Sequence, residues 1–304
     1  MHIHSTPDEI GSKKVKAALV AVGVTLFLIA AKGFAALTTG SLGILAEVGD
    51  SLQDLPASGM VLWGIRRSAS PPDPDHHYGH LKYENLSSLA QIAFLVLITV
   101  FIFHQVADRL MFGFSIEVTN LALAVMILAI VVDWGTARFL HQAATKYSSP
   151  ALETYAYNFT TDIWRGGAVL VGLAGARLGY READLVAATV VAIAMIYVAF
   201  KLGRKAVGVL TDASPGAEVE SRVREVISAY SVPTRFHTLR LRQAGGLVFL
   251  DLCLHVPPEM SISRAHEVAE EVSRRVREAI PSVREAVVHV EPEAPEEPEE
   301  PYQP

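Results

Sequence analysis

The chain has 304 residues, of which 51% are hydrophobic and only 19% charged, below the quarter or so that is usual in soluble globular proteins. The net charge is −6, but Glu291, Glu293, Glu296, Glu297, Glu299 and Glu300 bring in that many negatives at the C-terminus. The remainder is near neutral and has no basic patch, which excludes a nucleic-acid partner, and Cys253 as the single cysteine excludes an internal disulfide or a Cys-rich zinc motif.

The polar residues 1–16 precede an apolar block without a small-residue cleavage site, so the first block is expected to stay as a span rather than leave as a signal peptide. Six blocks are long enough to cross a bilayer, which takes roughly 20 residues of helix: 15–37, 41–65, 84–106, 118–140, 155–176 and 184–202. The third is the cleanest, with no charge from Asn85 to Val106. The short link at 38–40 makes the first two a helical hairpin. With the N-terminus inside, the inner segments hold Lys13, Lys14, Lys16, Arg66, Arg67, Lys82, Arg138, Lys146, Lys201, Arg204 and Lys205, and the outer links hold Arg109, Arg177 and Arg181. Lys32, near the outer end of the first span, does not change that bias. Both termini are therefore expected in the cytoplasm.

After about Asp212 the composition becomes that of a small soluble domain. Residues 217–230 read as an amphipathic helix, 235–242 and 247–256 as strands joined at Ala244-Gly245-Gly246, 262–280 as a second helix and 285–291 as a last strand. Helix–strand–strand–helix–strand suits an α+β layer with its helices on one face. The expected division is a cytoplasmic N-terminal segment at 1–14, a six-helix membrane domain at 15–208, a soluble domain at 209–292 and, where the Pro/Glu-rich run cannot bury enough apolar surface to fold, a disordered acidic tail at 293–304.

Ionisable groups inside a membrane are expensive, around 2.5–3.5 kcal/mol each on insertion scales. The second span nevertheless carries Glu47, Asp50 and Asp54, whose offsets of three and four place them on one helical face. The fifth carries Asn158 and Asp162, again four apart. At about 1.5 Å per residue, Asp54 and Asp50 lie roughly 18 and 24 Å from the inner end of their span, and Asn158 and Asp162 roughly 14 and 20 Å from theirs. The two pairs reach matched depth and could converge as an oxygen-rich set for a dication; the plainer reading is polar side chains joining helices. Arg165, three residues beyond Asp162, and Asp133 in the fourth span are further intramembrane charges. Arg165 is expected to form an ion pair with Glu47, Asp133 or Asp162, and the alternative makes Asp133 or Glu47 an accessory ligand or proton carrier. Between the second and third spans lie Asp73, Asp75, His76, His77 and His80. The spacing Asp73-x-x-His76-x-x-x-His80 combines imidazole and carboxylate as zinc-like ions prefer, although a solvated His-rich loop is the plain alternative.

The stretch Ser41-Leu-Gly-Ile-Leu-Ala-Glu-Val-Gly-Asp50-Ser-Leu-Gln-Asp54, followed by Asp73-x-x-His76-x-x-Gly79-His80-x-Lys82-x-Glu84, resembles the cation diffusion facilitator family of divalent metal/proton antiporters. The resemblance runs from Lys13 to about Pro292. It implies an α-helical membrane protein with six transmembrane helices and a cytoplasmic metallochaperone-like, ferredoxin-like domain, working as a homodimer in the membrane lipid. By position it implies transport ligands at Asp50, Asp54 and Asp162, a loop site at Asp73, His76 and His80, and a charge interlock of the dimer formed by Lys82 and Asp212. The fourth transport position, often His in zinc-carrying members, is Asn158 here, and an all-oxygen set leans toward manganese or iron. In the terminal domain Val248, Leu250, Leu252, Leu254 and Val256 alternate with Asp251, Cys253 and His255. His237, Cys253, His255, His266, His289 and Glu291 resemble the family's cytoplasmic regulatory sites.

The function so implied is proton-coupled efflux of divalent cations (manganese, iron or zinc, with cobalt and cadmium in the same class), from a bacterial inner membrane and with no organic cofactor. A metal sensor or assembly scaffold of the same fold without turnover is the alternative. An intramembrane hydrolase is disfavoured because His104 stands alone in the third span.

Overall fold

The computed structural model describes residues 7–39, 42–112, 120–177, 183–230 and 235–293, so the acidic-tail expectation at 294–304 lies outside the described residues. The chain divides into two units, Met1–Leu210 and Thr211–Pro304.

Among the described residues the first unit holds six long helices: α1 (Pro7–Thr39), α2 (Leu42–Ser68), α3 (Tyr83–Phe112), α4 (Asn120–Tyr147), α5 (Pro150–Arg177) and α6 (Ala183–Leu210). Among the described residues four stretches are long and apolar enough to span a membrane on composition: Glu9–Ala35, Tyr83–Asp108, Leu123–Tyr147 and Val186–Leu210. α2 and α5 are just as long, at 27 and 28 residues. They fall short because they hold the acidic and amide side chains singled out in the sequence.

α1 begins well before its apolar block. Pro7 opens it, where a missing N–H costs nothing, and Lys13 pairs with Glu9 one turn earlier at 2.5 Å. Ala17, Ala18 and Ala21 of α1 bury against Val61 and Ile65 of α2, Leu140 and Ala144 of α4, and Leu152 and Tyr155 of α5. Ile92 and Leu95 of α3 pack with Met195, Ala199 and Leu202 of α6. Small residues let these helices approach closely, as membrane bundles require. A methyl group on Gly64 would collide with the Ser87 side chain, and one on Gly166 would lie 2.9 Å from Ile130 Cγ1. Phe27, Phe34, Leu97, Val190 and Phe200 point outward and are exposed, as lipid-facing residues would be. Pro56 sits inside α2; it has no N–H, so the Leu52 carbonyl loses its helical partner.

One end of the bundle is tied by a buried carboxylate. Glu84, 2% exposed, accepts from Lys14 Nζ of α1 at 2.6 Å and from Ser68 Oγ of α2 at 3.2 Å. Ser149 Oγ, which also accepts from the Leu152 N–H in the first turn of α5, donates to its other oxygen.

The second unit holds α7 (Ala217–Ser228), β1 (Arg235–Ala244), β2 (Leu247–Val256), α8 (Ile262–Ala279) and β3 (Val283–Pro292). The strand order is β1-β2-β3; β2 is antiparallel to β1 and parallel to β3. Gly245 turns β1 into β2 with φ at +60°, a conformation glycine adopts without strain. Val248, Leu250, Leu252 and Leu254 are buried in one cluster with Val268, Val272 and Val276 of α8, and Val256 is buried too. Ser261 caps α8, its hydroxyl accepting from the Arg264 N–H.

Candidate functional site

The loop between α2 and α3 brings Asp73, His76 and His80 together, with one ligand atom from each lying within 4.8 Å of the others. The turn is made by Asp73 itself: its Oδ1 accepts from the His76 N–H at 2.7 Å and the Asp75 N–H at 3.1 Å. The His76 ring nitrogen Nδ1 is 3.2 Å from the same oxygen. Desolvation alone would push the Asp73 carboxyl up, but the hydrogen bonds from His76 and Asp75 outweigh it and hold it below the usual carboxylate value. His80 is 2% exposed. Its Nδ1 lies 3.2 Å from the Pro71 carbonyl, which can only accept, so Nδ1 carries the proton. Nε2 then presents a lone pair, buried and without a hydrogen-bond donor, 3.3 Å from Asp73 Oδ2. Two acceptors facing each other fit a cation between them, and a second-nitrogen bond to a carbonyl is how ligating histidines are usually oriented.

In the helical bundle Asp54, Asn158, Asp162 and Arg165 line one pocket with Ala57, Gln91, Thr161 and Met195. The sequence expected Asp54, Asn158 and Asp162 to converge, and these are brought together. Glu47 and Asp50 lie on α2, but their side chains are outside the described residues. Arg165 takes Asp162, one of its three expected partners, as an i,i+3 ion pair in which both side chains are 19% exposed. Asp162, Arg165, Asp133 and Lys32 all lie within electrostatic reach of Asp54.

Several residues here went unnoticed in the sequence. Lys32, read there only as an outer charge, is 7% exposed and donates to Ser51 Oγ of α2 at 2.9 Å. Tyr155 OH donates to Ser58 Oγ at 2.7 Å, and Ser58 Oγ to the Asp54 carbonyl at 3.0 Å, so a hydroxyl pair ties α5 to the turn that carries Asp54. Gln91 also lines the pocket, from α3. The signal for all of them was polar residues inside apolar helices. His104 does not stand alone: its Nδ1 is 2.9 Å from Asp108 Oδ2, with both side chains exposed.

In the second unit the register builds a third cluster. His237 and His289 flank Cys253 on β1 and β3, and His255 is beside Glu291. His237, Cys253 and Glu291 have ligand atoms within 4.8 Å of one another. His255 Nε2 lies 2.8 Å from His237 Nδ1, and His289 Nε2 3.3 Å from Glu291 Oε1. Burial, then the Glu291 carboxylate, push the Cys253 thiol up, so a metal here has to displace its proton. His266 is not brought to this cluster: it is on the exposed side of α8, the helix that covers the opposite face of the sheet. Lys82 belongs to the first unit and Asp212 to the second.

A polytopic helical bundle with a convergent oxygen-donor pocket, followed by a small α+β unit with its own metal-type cluster, defines a membrane transporter of cations. Residues 18–211 match the cation efflux transmembrane domain and residues 215–293 the cytoplasmic domain of cation efflux proteins, so the chain belongs to the cation diffusion facilitator family and is a divalent cation efflux transporter. It is 30% identical over 278 residues to the cation-efflux pump FieF of Salmonella arizonae, covering 91% of this chain and 92% of that one. To the FieF of Citrobacter koseri it is 29% identical over 277 residues, with 91% and 92% covered. Among solved structures, the C-terminal domain of MamM is 26% identical, with a TM-score of 0.25, and covers 25% of this chain and 96% of its own.

Proposed function

We propose that the chain exports manganese or iron, with zinc, cobalt and cadmium as poorer cargo, from the cytoplasm in exchange for protons, as a homodimer in a bacterial inner membrane with both termini inside. The observation that supports this reading is the pocket shared by Asp54, Asn158 and Asp162; to these the reading adds Asp50, one turn before Asp54 in the sequence, as the fourth ligand. These donors are all oxygen, which suits hard octahedral dications better than tetrahedral zinc. Protons compete with metal for the carboxylates, so a proton gradient can drive release on the far side. The loop triad and the cytoplasmic cluster are separate metal sites that load or regulate, and Lys82 with Asp212 fastens the dimer.

Asp54→Ala tests this in proteoliposomes loaded with the full chain. Alanine is well accommodated in a helix, so a folded dimer without manganese uptake is the expected result. Uptake equal to that of the parent protein would overturn the assignment. A scaffold or sensor of the same fold would show no uptake even in the parent protein.

A further inference from the structure

Gln91 is fully buried, at 0% exposure, in the N-terminal third of α3. Its amide orientation is fixed by chemistry: the group facing the Ser87 carbonyl at 3.2 Å is a donor and therefore Nε2. Oε1 is thus the other end. That oxygen is buried and has no hydrogen-bond partner. Leaving a buried acceptor unpaired is costly, and in a membrane interior there is no bulk water to relieve it. Gln91 also lines the pocket that Asp54, Asn158 and Asp162 share.

An amide oxygen is a hard, neutral donor of the type that manganese and magnesium accept, and such ions take six oxygens where zinc takes four ligands. Asp50, Asp54, Asn158 and Asp162 offer four side chains, enough for zinc and short for an octahedral ion. We propose that Gln91 is a further ligand of the transported cation, its Oε1 filling one of the positions that a six-coordinate metal leaves open and a four-coordinate one does not need. This rests on the pocket being the transport site. It adds a third helix, α3, to the two that carry the other ligands. It also makes residue 91 a determinant of metal choice alongside residue 158. The interaction with Ser87 is only a side-chain bond to the carbonyl one turn back, so it does not account for the orphaned oxygen.

The test is the KM for manganese and for zinc in proteoliposomes, for the parent chain, Gln91→Met, Gln91→Glu and Asp54→Ala. Methionine keeps the length and removes the oxygen. Gln91→Met should raise the manganese KM about tenfold, equivalent to about 1.4 kcal/mol, and the zinc KM by less than about threefold. Gln91→Glu, which keeps an oxygen in place and adds charge, should lower the manganese KM below that of the parent. Equal rises for the two metals, or no change, in Gln91→Met would overturn the proposal, as would an unchanged manganese KM in Gln91→Glu should the methionine variant not fold. Persistent transport by Asp54→Ala would instead locate the failure in the pocket itself.

Discussion

His80 turns its lone-pair nitrogen, Nε2, toward Asp73 Oδ2 at 3.3 Å, while its other nitrogen is committed to the Pro71 carbonyl. The arrangement is that of a ligand pair waiting for a cation, and it stands in the loop rather than among the membrane helices. His76→Ala combined with His80→Ala should therefore lower bound metal by about one ion per subunit, from three side chains acting as one site, and leave measurable uptake. Metal content by mass spectrometry beside vesicle uptake checks this. Complete loss of uptake in a folded protein would mean that the loop lies on the transport path.

The same loop should be sensitive to acid. Asp73 has a folded-state pKa below its ordinary value, so its contribution to loop order is present above the ordinary carboxylate pKa. It is lost as pH falls through the lowered folded value. The protection of the Asp75 and His76 amides, whose N–H groups bond Asp73, measured relative to their intrinsic exchange rate at each pH, should be high near neutrality and fall on acidification. Asp73→Asn should lower the protection at neutral pH too. Protection that responds to neither change would remove Asp73 as the organiser of the turn.

Glu84 joins helices that are far apart in sequence through Lys14, Ser68 and Ser149. Glu84→Gln leaves the Lys14 ammonium largely buried without its carboxylate, a change that costs about 3–5 kcal/mol in comparable pairs. The detergent-solubilised protein should melt at a clearly lower temperature, and adding Lys14→Met should recover part of the loss. A single variant that melts like the parent would show that the pair is solvated in the protein.

Arg165 neutralises Asp162 in the pocket. Arg165→Leu removes that partner and leaves an intramembrane carboxylate alone, which destabilises or forces it to hold a proton. The expected readouts are a lower melting temperature or a shift of the uptake–pH profile to higher pH. A variant unaltered in both would place the guanidinium in water.

Asn158 sets the hardness of the ligand set. Asn158→His supplies imidazole, which zinc accepts well, and a group that titrates near neutrality. The zinc-to-manganese uptake ratio should rise in the variant, and its pH profile should gain a step near neutral pH. An unchanged ratio and profile would mean that residue 158 does not touch the metal.

What the sequence made legible was periodicity. Alternation in β2 put its five apolar residues on one face, all of them buried and four in one cluster with α8; spacings of three and four brought Asp54, Asn158 and Asp162 to one pocket. Long-range pairing was not legible. Nothing in the local pattern told that Glu84, read as the first residue of a span, would meet Lys14 across 70 positions. Lys32 looked like a topology charge, yet the neighbouring helix covers it. His266 was grouped with the strand histidines by the family resemblance, and the sheet lies between them because α8 packs on the other face. Gln91 was hidden because one amide in an apolar helix does not disturb its hydropathy.

Pro56 gives α2 an uneven stiffness. On its C-terminal side Val61 and Ile65 are fully buried in the cluster that α1, α4 and α5 share with it. On the N-terminal side, two residues away, is Asp54. The missing hydrogen bond at Leu52 lies between the anchored half and the N-terminal half that carries Asp50. A helix that lacks one bond of its ladder bends there more readily than elsewhere, so any flexing of α2 is concentrated on the turn that carries Asp54.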